Sequence, residues 1–339
     1  MPGESVDACV TDPPYELGFM GKRWDASGIA YSDDLWREVL RVLKPGAHLL
    51  AFGGTRTYHR MACAIEDAGF EIRDSIDWIY GSGFPKSLDV SKAIDKAAGV
   101  EREVLGTDRN FGRTRIEDGK TSFGDYAGEW NITAPATPLA QQWQGWGTAL
   151  KPAHEPIVVA RKPLVGTVAA NVEKHGTGAL NVDGCRVRLD SGEDTRRKPV
   201  ATQGWCISSP TSGSMNDSAL AGRWPPNLLL THSADCESEC VEGCPVTSIG
   251  EPSRFFPIFR YQAKASKRDR GEGNTHPTVK PTDLMRWLVR LITPPGGTVL
   301  DPFAGSGTTL VAAQAEGFDA IGIEREAAYV EIIRKRLGR

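Results

Sequence analysis

No stretch of this sequence approaches the roughly 20 consecutive apolar residues that a membrane-spanning helix needs, and its N-terminus has no basic segment leading into an apolar one. These absences speak against a membrane span and an export signal, and the expected location is the cytoplasm. Cysteine is sparse and odd in number. Seven thiols in a chain without an export signal argue against a disulfide framework, so they should be reduced or hold metal. A large excess of one charge is also missing. A formal net charge of −3 offers no overall attraction to a polyanion, so any nucleic-acid surface must come from local clusters. Internal repeats are absent too. What remains, 40% hydrophobic and 24% charged over 339 residues, is enough to build one large or two ordinary globular domains.

The two ends of the chain share a rhythm that the middle lacks. Residues 6–11 read as a short strand, and Leu35, Trp36, Val39, Leu40 and Leu43 fall at helical spacing before Lys44-Pro45-Gly46 stops the run. A strand over 47–52, a helix over 58–68 ended by Gly69, and a strand over 71–80 follow. Near the C-terminus come a helix over 282–292, a strand over 298–301, a helix over 308–316, a strand over 320–323 and a basic amphipathic helix over 326–337. Alternation of this kind predicts an α/β fold with a doubly wound, mostly parallel, Rossmann-like sheet. Between the ends, a helix over 87–98 capped by Ser87 and a strand over 157–160 interrupt long Gly-, Ser-, Asp- and Arg-rich stretches. The reading is therefore a sheet split into residues 1–85 and 274–339, with 86–273 as a large irregular insertion used for target recognition.

Each half of that sheet carries a motif just after a strand. Asp12-Pro13-Pro14-Tyr15 follows the first strand and supplies a carboxylate, a main-chain carbonyl held by two successive prolines, and an aromatic face. Those groups suit an exocyclic amine on a planar base: Asp12 accepts one N–H, the Pro13 carbonyl the other, and Tyr15 stacks on the ring. As a bare tetrapeptide it is equally a turn; its place at the end of a parallel strand, where such sheets bind ligands, favours function. The second motif, Asp301-Pro302-Phe303-Ala304-Gly305-Ser306-Gly307-Thr308, runs into a helix, with Thr309 next and Glu324 ending the following strand. Glycines let backbone approach a nucleotide-like cofactor, a helix start receives its carboxylate, and an acid about 20 residues on receives ribose hydroxyls.

In this order, catalytic motif before glycine motif, the residues resemble the amino-methylating DNA methyltransferases of the N6-adenine/N4-cytosine family, in their permuted, beta-type branch. The stretch 143–164 also looks similar to phage-type or mobile-element members. The resemblance implies S-adenosylmethionine as cofactor and double-stranded DNA as substrate, with the target base flipped out and no membrane involved. It implies that Thr278 and Lys280 lie beside the methionine part of the cofactor and that Phe303 packs near it. Asp at the first motif position goes in this family mostly with N6-adenine and Ser with N4-cytosine, so adenine is expected and cytosine is the alternative. A homodimer is compatible with it, and whether a partner nuclease exists is not legible. Relatives carry a leader strand ending in Gly-Asp before the first motif. This sequence opens at Met1-Pro2-Gly3-Glu4-Ser5, so either a start further upstream or a shortened sheet is expected, and the rival reading is a DNA-binding protein without turnover.

Two further groups stand out. His232, Cys236, Cys240 and Cys244 recur at every fourth residue and are zinc-compatible ligand types. On a straight helix they would span about 18 Å, too far for one ion. Gly243 and Pro245 break such a helix, which leaves two readings: a structural zinc, or reduced and partly buried thiols like those expected at Cys9, Cys63, Cys185 and Cys206. The basic clusters Arg186 with Arg188, Arg196-Arg197-Lys198, and Lys264 with Lys267, Arg268 and Arg270 are candidate DNA contacts or solvated surface.

Overall fold

The computed structural model describes residues 1–18, 23–81, 83, 87–108, 130–187, 222–233, 236, 239–259 and 273–338. It divides into two compact units, Met1–Ser82 with Ala153–Arg339, and Gly83–Pro152.

The larger unit is built on an eight-stranded sheet. Its strands are β1 (Val6–Thr11), β2 (Leu43–Phe52), β3 (Glu71–Ile79), β6 (His154–Arg161), β7 (Leu228–Thr231), β8 (Ile258–Phe259), β9 (Thr298–Asp301) and β10 (Asp319–Gly322), while β4 (Val104–Asp108) and β5 (Trp130–Thr133) belong to the smaller unit. Across the large sheet the order is β10-β9-β1-β2-β6-β3-β7-β8. Every neighbouring pair is parallel except the two made by β6, which runs antiparallel to both β2 and β3. Helices α1 (Asp33–Val42) and α2 (Tyr58–Asp67) cover one face; α7 (Thr282–Ile292) and α8 (Thr308–Ala315) cover the other. Alternation of side chains along a strand sorts the core accordingly. Ala8 and Val10 pack with Leu284, Leu288 and Ala312, whereas Cys9 packs with Trp36, Val39 and Ile65. The doubly wound, mostly parallel α/β sheet expected from the alternation is therefore the observed fold.

Local sequence explains the helix ends. Ser32 caps α1 by accepting from the Leu35 amide, and Asp33 and Asp34 sit at its positive end. Gly69, with φ of 106°, takes the left-handed position just beyond α2. Two expectations need correction. Lys44-Pro45-Gly46 does not separate helix from strand: α1 runs directly into β2, and the three residues lie inside β2, where register jumps from Val6↔Leu43 to Ala8↔His48. Pro45 has no amide to pair and Gly46 adopts a φ of 79°, so the pairing skips them as a bulge. Helix α3 (Val90–Ala97) is capped by Asp89, not Ser87, because the Ser87 hydroxyl is engaged by the amides of Thr148 and Ala149.

The stretch 86–273 is also not a single insertion beside the sheet. Strands β6, β7 and β8 come from it, and β6 lies at the sheet's centre. The apolar runs of β6 and β7 are buried, which outweighs the loop-like composition around them. The smaller unit, taken by itself, holds the antiparallel β4–β5 pair, α3 and α4 (Pro138–Gln142). Its fully buried Asp95 accepts from Ala136 N, Thr137 N and Thr137 Oγ1 at 2.7–3.1 Å, with Arg102 3.5 Å away.

Candidate active site

β1 and β9 are hydrogen-bonded neighbours, so the loops leaving their C-terminal ends emerge side by side. Segments 290 residues apart in the sequence thus meet. Thr11, the final residue of β1, donates through Oγ1 to Asp301 Oδ1 at 2.7 Å. Thr309 Oγ1 donates to Asp301 Oδ2 at 2.6 Å, and the Phe303 amide closes the turn on Oδ1 at 3.0 Å. Burial pushes the Asp301 carboxyl up, against these three hydrogen bonds and with help from the nearby Asp12 charge, to about 6. Asp301 is therefore a buried fastening between the two strands and the glycine loop.

That loop is held from all sides. Gly305 and Gly307 have φ of 53° and 79°, and a Cβ on either would come within 2.9 Å of a neighbour, His276 Nε2 and Ile333 Cγ1 respectively. The Gly305 amide donates to Glu324 Oε2 at 2.8 Å, while Glu324 Oε1 receives the Glu326 amide. Thr308 Oγ1 and Ser306 accept from Arg336 Nη1, a residue of α9 (Ala327–Arg336). The hydroxyls of Thr308 and Thr309 thus have internal partners here. Phe303 is half-buried and Thr278 exposed, the Thr278 carbonyl being paired with the His276 ring, which lies 4.5 Å from the Tyr329 ring centroid.

The loop after β1 has a different character. Lys280 reaches into it and places Nζ 3.0 Å from Asp12 Oδ1, 2.9 Å from Glu155 Oε2 and 2.9 Å from the Tyr15 hydroxyl. The ammonium also faces three aromatic rings, with centroids at 4.7 Å (Phe52), 5.2 Å (Tyr15) and 5.9 Å (Trp78). Burial alone would lower its pKa, but Asp12 and Glu155 outweigh burial and raise it, so Lys280 is a cation. Tyr15 donates to Glu155 Oε2 at 2.7 Å, and burial followed by the charges of Asp12 and Glu155 keeps its hydroxyl protonated. Despite the short distance to Lys280, Asp12 Oδ1 has no aligned hydrogen bond among the described residues. Pro13 is buried, and Thr57 Oγ1 fixes the turn by donating to the Tyr15 carbonyl at 2.8 Å.

Sequence reasoning placed Asp12, Pro13, Pro14 and Tyr15 in the catalytic motif and Lys280 beside the methionine part of the cofactor; the structure brings Lys280 Nζ to 3.0 Å from Asp12 and 2.9 Å from Glu155 and Tyr15. It did not single out Glu155. An antiparallel strand inside a parallel sheet starts at the edge where its neighbours end, so the beginning of β6 brings Glu155 to Asp12. An acid just ahead of a buried apolar strand was the available signal, and the direction of that strand was the missing information.

The four ligand-type residues also converge. They do not scatter as on a straight helix: His232, Cys236, Cys240 and Cys244 bring their ligand atoms within 4.8 Å of one another. Burial raises the Cys244 thiol, but amides of Ser233, Thr247 and Val246 and the His232 ring bring it down to about 6. Of the basic clusters, Arg186 is described and is engaged locally, by Asp183 at 2.7 Å and the Gly222 carbonyl at 3.1 Å. Arg188, Arg196, Arg197, Lys198, Lys264, Lys267, Arg268 and Arg270, and Cys206, lie outside the described residues.

Comparison with known proteins returns one consistent answer. A family model described as DNA methylase (N6_N4_Mtase) matches residues 6–335. The Type II methyltransferase M.HindIII of Haemophilus influenzae is 25% identical over 304 residues, 89% of this chain and 66% of that protein. M.MjaI of Methanocaldococcus jannaschii is 31% identical over 137 residues, 35% of this chain and 43% of that one. The chain thus spans less than two thirds of the length of these relatives. Among solved structures, that of the M1.HpyAVI–SAM complex aligns over 99% of this chain and 90% of its own, at 16% identity and a TM-score of 0.44.

Proposed function

This chain belongs to the DNA methylase family, and from that premise we propose that it transfers a methyl group from S-adenosylmethionine to the N6 amine of adenine at a specific sequence in DNA, inside the cell. The observation that carries the proposal is the junction of β1 and β9, which sets a carboxylate with a free acceptor position beside a glycine loop and its acidic partner. An exocyclic amine is a poor nucleophile because its lone pair is delocalised into the ring, so the site must position and polarise it. Asp12 Oδ1 is the acceptor for one N–H, and the Pro13 carbonyl for the second. Lys280, pinned between Asp12 and Glu155, fixes the carboxylate's position, and Tyr15 is held through its hydroxyl by Glu155 and Lys280. Catalysis in this arrangement is positioning and electrostatics.

The residues around the loop after β9 fit the cofactor. Gly305 and Gly307 keep side chains off the loop, and Glu324, already on the Gly305 amide, is the acceptor for ribose hydroxyls. When bound, the cofactor supplies an electrophilic methyl on a sulfonium. Asp301, Thr308 and Thr309 act on it through the shape of the loop, since their polar atoms are engaged within the protein. Target recognition is assigned to residues between 81 and 273, because the rest is committed to the sheet and its two loops, and reading sequence takes side chains that reach base edges.

The adenine assignment rests on Asp at the first motif position. Incubating the protein with DNA and labelled S-adenosylmethionine, then identifying the modified nucleoside by mass spectrometry, tests it. N6-methyladenine is the expected product. N4-methylcytosine would move the reading to the other amine, and cofactor binding with no modified nucleoside on any DNA would leave a binding protein without turnover.

A further inference from the structure

His232 follows β7 directly, and Cys244 caps the short helix α6 (Pro245–Ile249). The ligand atoms of Cys236 and Cys240 converge on the same point. His232 Nδ1 lies 3.3 Å from Cys240 Sγ and 3.7 Å from Cys244 Sγ, and no pair among the four ligand atoms is further apart than 4.8 Å. A tetrahedral zinc with bonds of about 2.3 Å to sulfur and about 2.0 Å to nitrogen requires ligand–ligand edges of roughly 3.5–3.8 Å. The 3.7 Å edge already matches, the 3.3 Å edge falls about 0.2 Å short, and the longest separation needs to contract by about 1 Å to reach the same range.

The surroundings fit such a centre. The Ser233 amide points at Cys244 Sγ and the Val241 amide at Cys236 Sγ, each at 3.4 Å, the outer hydrogen bonds that orient and charge-balance thiolate ligands. Gly243 supplies a left-handed φ of 77° for the turn between Cys240 and Cys244. Ligands that a straight helix would scatter thus come together. The stretch 232–244 contains little apolar material, and only Cys244 within the cluster is fully buried. Hydrophobic packing alone therefore gives this loop small support.

We propose that His232, Cys236, Cys240 and Cys244 form a structural metal centre of the zinc class, with three thiolates, one imidazole and no open coordination position. It fastens the end of β7 to the start of α6. The fastened loop also bears on the sheet: a Cβ on Gly81, just past β3, would come within 2.7 Å of Ser233 Oγ and 2.9 Å of Pro245 Cδ. The centre thus holds the strand ends from which the chain leaves β3 and β7. It does not depend on the methyl-transfer reading, because every ligand and every consequence lies outside that site.

The test is metal content of the full-length protein, purified from cells grown with zinc and freed of any affinity tag. About one zinc per chain is expected, and replacement by cobalt should give the visible bands of tetrahedral Co(II) together with thiolate charge transfer. Cys240→Ser, at an exposed ligand, should lose most of the metal while remaining folded by circular dichroism, and Cys240→His should retain it because a ligand is conserved. A folded wild-type protein that takes up neither zinc nor cobalt would overturn the proposal. So would metal content unchanged in the Cys240→Ser and Cys236→Ser variants, or a disulfide among the four residues in freshly purified protein. Methyl transfer is not a readout in any arm, so the two proposals fail separately.

Discussion

The loops after β1 and β9 leave neighbouring strands at the same edge of the sheet, yet their polar groups are disposed in opposite ways. After β9, Asp301, Ser306, Thr308, Thr309 and Glu324 are hydrogen-bonded within the protein, and the glycines are fixed by close neighbours. After β1, a lysine is shared among two carboxylates and a phenol, and one carboxylate oxygen has no aligned partner among the described residues. On the proposed reading, the difference separates a cradle, whose polar groups are committed to its shape, from a reacting centre, where interaction capacity is left over. Mutations in the cradle should act through stability and cofactor affinity, and those in the centre through turnover.

The largest effect expected is that of Asp12→Ala: a loss of at least about 100-fold in methyl transfer, with thermal stability and cofactor affinity near wild type. Near-normal turnover in that variant, measured with saturating cofactor and DNA, would erase the distinction between the loops. Asp301→Ala should behave in the opposite sense. It strands the Thr11 and Thr309 hydroxyls and the Phe303 amide, so a stability loss of about 1–3 kcal/mol in denaturant melts is expected. If turnover of the folded fraction falls as far as it does in Asp12→Ala, Asp301 belongs to the reacting centre after all.

Gly305→Val and Glu324→Ala should weaken S-adenosylmethionine binding by roughly tenfold or more in calorimetry, the first by driving a side chain into His276 at a left-handed backbone position, the second by removing the ribose acceptor. Unchanged affinity in both would make the glycine loop a packing turn only. Tyr15 gives a finer test. Stacking alone predicts that Tyr15→Phe is harmless, but its hydroxyl joins Glu155 and Lys280, so a loss of roughly tenfold in kcat is expected, smaller than that of Tyr15→Ala. Wild-type kcat in Tyr15→Phe would reduce the residue to its ring.

The effect furthest from the chemistry lies outside both loops. His48, buried in β2, has its pKa lowered from 6.5 to about 4 by burial first and then by the charges of Arg161 and Arg73. A group whose folded pKa is depressed contributes stability that is fully present above its unfolded value and is lost as pH falls. Thermal melts should therefore show wild-type stability declining between pH 6.5 and about 4, and declining less in His48→Gln. An identical decline in both would assign the acid sensitivity to other groups.

Much of this was legible in the sequence because it is written over short distances. The apolar spacing of α7 predicts its span of 282–292 without error, and the strand 298–301 and the glycine turn after it are equally local. The tetrapeptide 12–15 and the loop 301–309 could be matched to one site because parallel strands of a doubly wound sheet deliver their ends to one edge. Boundaries failed where partners far along the chain intervened. Ser87 was a plausible cap, but the amides of Thr148 and Ala149 occupy it; Lys44-Pro45-Gly46 was a plausible stop, but it lies inside β2 as a bulge that the pairing with β1 skips.

By itself, then, the sequence determined the strand–helix alternation, the carboxylate-proline-proline-aromatic motif, the glycine turn and the supply of four zinc-compatible side chains, because each depends on neighbours within one or two turns of chain. Tertiary structure alone decided that β6 runs against its neighbours, which carries Glu155 to a lysine 125 residues away. It decided that Thr308 and Thr309 turn to Arg336 and Asp301, and that a spacing of four becomes a folded cluster. The physical reason is common to all three. Charges, hydroxyls and thiols act over a few ångströms on whatever group stands opposite, and which group stands opposite is settled by strand direction and packing between elements, to which local pattern is blind.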